Sequence, residues 1–173
     1  MEKSENPVAW HYWLWLLLSL LALKLLLFQL DPDVGFFLGD SATYLYTAVE
    51  QWIPPDRSWS YGFFVGEAVG PERSLQRLVI IQIVISVLTC MLLALVLIRF
   101  LRCSPGIAAA AALLCAVEPI QLLFERYVMA ETLSLLVFAL FVVSLLSYLR
   151  RGHLAWLCLA ALLAVAAASL RTA

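Results

Sequence analysis

The chain has 173 residues, of which 64% are hydrophobic and 13% charged, against roughly 45–50% apolar and about 25% charged in soluble domains. That composition excludes a water-soluble globular domain. The formal net charge of −1, from 11 Lys and Arg against 12 Asp and Glu, offers no basic surface to neutralise a nucleic-acid backbone, so nucleic acid is not an expected partner.

Apolar runs recur near the ~20 residues that a helix needs to cross the hydrocarbon of a bilayer. They fall at 13–30, 78–98, 107–124, 132–149 and 154–170. Strands are not expected, because an open sheet leaves backbone groups unpaired in lipid and these runs lack the alternation of a barrel. The sequence predicts a single all-α domain over 1–173, a polytopic transmembrane bundle of about five spans. A large outer loop, 31–77, separates the first span from the second.

The first span does not read as a secretory signal: Lys3 is the only basic residue before it, and no small-x-small site follows Leu30. It reads as a retained helix, with Trp10, Tyr12, Trp13 and Trp15 at its inner end. Orientation follows from the short basic connections. Arg99 and Arg102 sit in one, and Arg150, Arg151 and His153 in another, with no acid in either. Both belong in the cytoplasm by the positive-inside rule. The loop 31–77, with seven acids against three bases, then faces outward. So does the connection around Arg126. The N-terminus is expected inside and the C-terminus outside.

The outer loop is too long and too aromatic for a solvated linker, and is expected to lie on the membrane. Gly39 to Tyr44 opens a helix-compatible stretch that ends before Pro54 and Pro55. Leu45, Val49 and Trp52 share one face of it, as suits an interfacial helix. Asp40 occupies the N-cap position. A capped carboxylate is held ionised and immobile, which is also what a general base acting on a hydroxyl requires.

Lys24 and Glu118 are ionisable residues inside spans and therefore functional candidates. Each lies six residues before the outer end of its run, at a depth of roughly 9 Å, and they are expected to form an ion pair. The alternative is that Lys24 snorkels outward while Pro119 ends the third helix early and leaves Glu118 in water. Glu131 precedes a long apolar run, and sequence spacing does not separate a helix-start carboxylate from an active-site acid. Ala108 to Ala112 and the repeat Ala160, Ala164, Ala168 let helices approach closely, and so mark the third and fifth spans as interior. Cys90, Cys103, Cys115 and Cys158 have no CxxC spacing and read as packing residues or free thiols. His11 and His153 lie at membrane edges, and neither is assigned as a metal ligand.

Several landmarks recur in order: Gly39-Asp40-Ser41-Ala42-Thr43-Tyr44, Asp56-Arg57 leading to Tyr61-Gly62-Phe63-Phe64, Pro119 followed by Glu131-Thr132, and Ser169-Leu170-Arg171-Thr172. In order, spacing and topology this set resembles the N-terminal half of the GT-C superfamily, polytopic glycosyltransferases that use polyprenyl-phosphate sugars, such as the protein mannosyltransferases. The resemblance implies that Asp40 is the outer-loop acid that deprotonates or orients the acceptor hydroxyl. It casts Glu131 as the acid of the second outer loop, which in some relatives helps place a divalent metal or the donor. Arg171 matches a basic residue suited to the donor phosphate, and Tyr44, Arg57 and Tyr61 are implied as further substrate contacts. Members of the superfamily are longer, so the chain is expected to be the N-terminal part of a larger architecture or to be completed by a second chain. The alternative is a noncatalytic membrane subunit or scaffold of a glycan-assembly complex. A transporter would need polar positions deep in several helices or broken helices, and from the sequence only Lys24 and Glu118 offer anything of that kind.

Overall fold

A computed structural model describes residues 8–54 and 58–171, the side chain of Arg171 excepted. Eight helices follow one another among the described residues: α1 (Trp10–Leu30), α2 (Asp40–Glu50), α3 (Trp59–Val69), α4 (Leu75–Arg99), α5 (Pro105–Ala116), α6 (Pro119–Arg126), α7 (Glu131–Arg151) and α8 (Leu154–Arg171). Among the described residues the one extended pairing is an isolated parallel bridge between Gly35 and Tyr127. The all-α expectation holds. Helices α1, α4 and α7 are long and apolar enough to cross a membrane, and the bent pair of α5 and α6 makes a fourth crossing if it is one span. Helix α8 is apolar but shorter.

The run 107–124 is not the continuous helix expected. It is broken at Val117 and Glu118, and α5 and α6 meet at a bend of 52°. Pro119 is the cause, since it has no N–H to give and its ring clashes with the preceding turn. It also drives Glu118 into extended backbone (φ −60°, ψ 126°). The chain recovers at once, because the Glu118 carboxylate accepts a hydrogen bond from the Gln121 N–H at 2.7 Å and caps α6.

The interior helix is also not one of those expected. Half of the most apolar stretch of α4 is buried, against 17% for α1 and for α7, and α4 packs on α1, α3, α5, α6 and α7. Helix α5 does bury its small face, with Ala108, Ala112 and Ala116 wholly enclosed. Helix α8 lies at the edge: Ala160 is buried, but Ala164 and Ala168 are exposed. A stripe of small residues permits close approach without specifying which neighbour makes it.

Two sets of contacts tie the ends of the bundle. At one end the Tyr12 hydroxyl donates to the Pro105 carbonyl at 2.9 Å. There Arg150 also donates to the Phe100 carbonyl at 3.0 Å and lies over the Phe100 ring. At the other end α2 and α3 form a helical hairpin in the region read as the outer loop. Their crossing is close because residue 62 is glycine, where a Cβ would stand 2.5 Å from Thr47, and Gly66 follows one turn later against the Ala48 carbonyl.

Candidate functional site

The segment leaving α1 runs directly to the start of α7. Gly35 donates its N–H to the Arg126 carbonyl at 2.9 Å, and its own carbonyl accepts from Val128 at 3.2 Å. A Cβ there would fall 2.5 Å from the Tyr127 ring, so any larger residue would have to displace that ring. Six residues on, the Ser41 hydroxyl accepts from the Phe37 N–H at 2.8 Å and donates to the Val128 carbonyl at 3.0 Å. The first turn of α2 is thereby fastened to the segment that precedes α7.

This brings the neighbourhoods of Asp40 and Glu131 to the same end of the bundle. Asp40 is half-buried and is the first residue of α2; the cap position itself belongs to Gly39, at φ 89°. The expected capping role is thus corrected to a first-turn position, where a carboxylate is still favoured by the helix dipole. Glu131 holds the corresponding place in α7. Trp52, expected on the face of Leu45 and Val49, lies beyond α2, which ends where Gln51 turns left-handed. The buried residues of α2 are Ser41, Tyr44 and Thr47.

Tyr44 and Tyr61 meet edge to face with ring centres 4.7 Å apart. Tyr61, expected among the substrate contacts, is wholly buried and gives its hydroxyl to Gln82 Oε1 at 2.6 Å. It therefore supports the Tyr44 ring and has no surface for a ligand. Burial pushes its phenol up from the ordinary value, Tyr44 and the Glu131 charge add to this, and a backbone hydrogen bond from Met129 opposes it. The start of α3 is tied to the end of α8, as Ser58 and Ser60 both donate to the Ser169 carbonyl, at 2.6 and 2.7 Å. Leu170 joins Tyr44, Tyr61, Val128 and Ala130 in one buried cluster. Arg171 follows it as the last residue of α8, while Arg57 lies outside the described residues.

Below this end lies a polar interior that centres on residues the sequence reading left in a connection. Lys24 does form a buried ion pair, but with Glu125 and not with Glu118. Glu118 is exposed and occupied as the α6 cap, whereas the bend at Pro119 carries Glu125 back toward α1. The Lys24 ammonium also donates to the Ala116 carbonyl at 2.6 Å, at the end of α5. One cation from α1 thus holds both sides of the break. Gln82 of α4 donates to the Glu125 and Tyr127 carbonyls, each at 3.0 Å, and satisfies the end of α6. Gln121 donates to Ser86 at 2.9 Å. Arg126 is buried with its guanidinium 5.0 Å above the centre of the Phe28 ring. Its Nη1 and Glu125 Oε2 have no hydrogen-bond partner among the described residues.

The structure therefore gathers Tyr44, Tyr61 and the helix starts carrying Asp40 and Glu131 at one end, together with the end of α8. Lys24 is separate from them, linked through Glu125, Gln82 and Tyr61. Among the described residues no group of three or more His, Cys, Asp or Glu side chains is arranged to hold a metal ion, so Glu131 has no such set of co-ligands. Compared with known proteins, the chain matches no family model, no curated protein and no solved structure.

Proposed function

We propose that the chain acts as a GT-C-type integral membrane glycosyltransferase, transferring a sugar from a polyprenyl-phosphate donor to an acceptor hydroxyl at the outer face of the membrane. The observation that carries this reading is the convergence of the starts of α2 and α7 with the end of α8 around Tyr44, Tyr61, Val128 and Leu170. Residues far apart in sequence, singled out by their resemblance to one family, meet at one end of an apolar bundle.

On this reading α8 and the bent α5 and α6 pair are each one crossing. The bundle then has five spans, a cytoplasmic N-terminus, and α2 and α3 in the outer loop. Asp40 takes the proton of the acceptor hydroxyl, and a single displacement inverts the anomeric carbon. Charge developing on the leaving phosphate is met by a cation, the role given to Arg171. Glu131, only partly buried at the start of α7, orients the donor sugar.

Transport is a second reading, favoured by one observation. A broken helix with Lys24 and Glu125 buried beside the break shares its discontinuity with the helices that line substrate sites in transporters. Reconstitution in liposomes with a radiolabelled polyprenyl-phosphate sugar and a membrane extract as acceptor separates the readings. Transfer is expected, with a loss of about 100-fold or more for Asp40→Asn. Wild-type transfer by Asp40→Asn overturns the base assignment. A chain that transfers nothing even with its native membrane partners favours the noncatalytic subunit, and label moving across the bilayer unchanged favours transport.

A further inference from the structure

The short link between Gly35 and α2 has an unusual surface. Phe36 and Phe37 are 54% and 52% exposed, and Leu38 is 97% exposed. Three consecutive large apolar side chains open to the surroundings are costly in water, at about 25 cal/mol per Å² of apolar area. The link is not free to fold them away. On one side Gly35 is bonded to Arg126 and Val128, and on the other the Phe37 N–H is held by Ser41, which is itself bonded to Val128.

The height of this link relative to the apolar helices follows from the same bonds. Gly35 lies five residues after the last residue of α1 and is paired with residues just before the first of α7. Both are helices able to cross a membrane, and both reach their ends here. Three residues span at most roughly 10 Å, and the headgroup region beyond the hydrocarbon is about 5–7 Å deep on each side. The link therefore starts at the level of the interface and stays within or near it. The exposed leucines of α1, Leu26 and Leu30, are separated from it by the exposed Asp31, Pro32 and Asp33, whose charges suit the headgroup level between two apolar stretches.

We propose that Phe36, Phe37 and Leu38 form a rigid apolar tip that inserts into the boundary between lipid headgroups and acyl chains beside the end of α1. Its occupant is the bilayer itself. The tip then holds the first turn of α2, and Asp40 with it, at a constant depth in the interface. This inference needs only that α1 and α7 cross a membrane, and it stands apart from any transferase activity.

The test is a nitroxide label at Leu38→Cys, in the chain with its four native cysteines replaced by alanine and reconstituted in phosphatidylcholine liposomes. Glu50→Cys, at the exposed end of α2, is the control. Collision with dissolved oxygen and with a water-soluble nickel chelate is read from power saturation. Position 38 is expected to be several-fold more accessible to oxygen than to nickel relative to position 50. Nickel accessibility equal to that at position 50 overturns the proposal, and so does low accessibility to both, which would mean a protein surface covers the tip. If the cysteine-free chain does not fold, Leu38→Trp in the native background gives the same answer by quenching with brominated phosphatidylcholine. Quenching beyond that of the native tryptophans is expected, and its absence overturns the proposal.

Discussion

The interior of the bundle is held differently on the two sides of Lys24. Toward the Tyr12 end, Leu16, Leu20, Val87, Cys90, Ala94, Ala108, Ala112 and Ala116 pack α1, α4 and α5 through small and aliphatic side chains. One turn beyond Leu20 the same three-way contact becomes polar: Lys24 binds Ala116 and Glu125, Gln121 binds Ser86, and Gln82 binds the end of α6. The difference follows from what each layer has to enclose. Continuous helices satisfy their own backbone and need only close approach in lipid. A broken helix leaves carbonyls and N–H groups orphaned, and side chains from neighbouring helices must meet them.

The largest effect is expected from breaking the polar layer on one side only. Lys24→Met or Glu125→Leu leaves its partner charged and buried, and each is expected to cost about 3–5 kcal/mol. The double variant should recover most of that loss, which unfolding in mixed detergent micelles would show. A double variant no more stable than the singles would mean that the two residues act independently.

In the apolar layer the sensitivity should be to volume and not to charge. Ala112 is fully buried, so Ala112→Leu is expected to cost about 1–3 kcal/mol by overpacking, whereas Ala110→Leu on the exposed side of α5 should cost little. Equal effects in the same unfolding assay would show that close approach of α4 and α5 is not what holds this layer. The smallest change sharpens the junction between the two layers. Glu118→Ala removes the cap of α6 and is expected to cost about 1 kcal/mol, with Glu118→Asp restoring part of it. A loss as large as that for Glu125→Leu would return the buried-pair role to Glu118.

These layers were unequally legible in the sequence. The long apolar runs predict the helices because crossing a bilayer sets both their length and their composition. The break at Pro119 also carries a local signal, and the alternative in which Pro119 ends the third helix early and leaves Glu118 exposed is the one the structure has. Once the third run is taken as straight, Lys24 is matched by depth to Glu118, and Glu125 is left in a connection. The partner of Lys24 depends on a 52° change of direction that no spacing records. The crossing of α2 and α3 did have a signal in the Gly62 and Gly66 spacing, yet its partner, Thr47 and Ala48, is a matter of tertiary packing. Arg126, placed by sequence in the same outward connection as Glu125, is likewise buried, against Phe28.

For the candidate site, Asp40, Tyr44 and Glu131 were marked by residue type and order, and the structure adds that Ser41 and Gly35 fasten their helices together. Tyr61 was marked too, but its burial against Gln82 makes it a support. Composition and run length alone give the class: 64% hydrophobic residues in runs of membrane-crossing length make apolar helices suited to lipid. What the tertiary structure decided is which helix is central, where the third run bends, and which carboxylate neutralises Lys24. Hydropathy is a property of each segment alone, whereas a buried charge or an orphaned carbonyl is satisfied only by whatever residue the rest of the fold brings within hydrogen-bond distance.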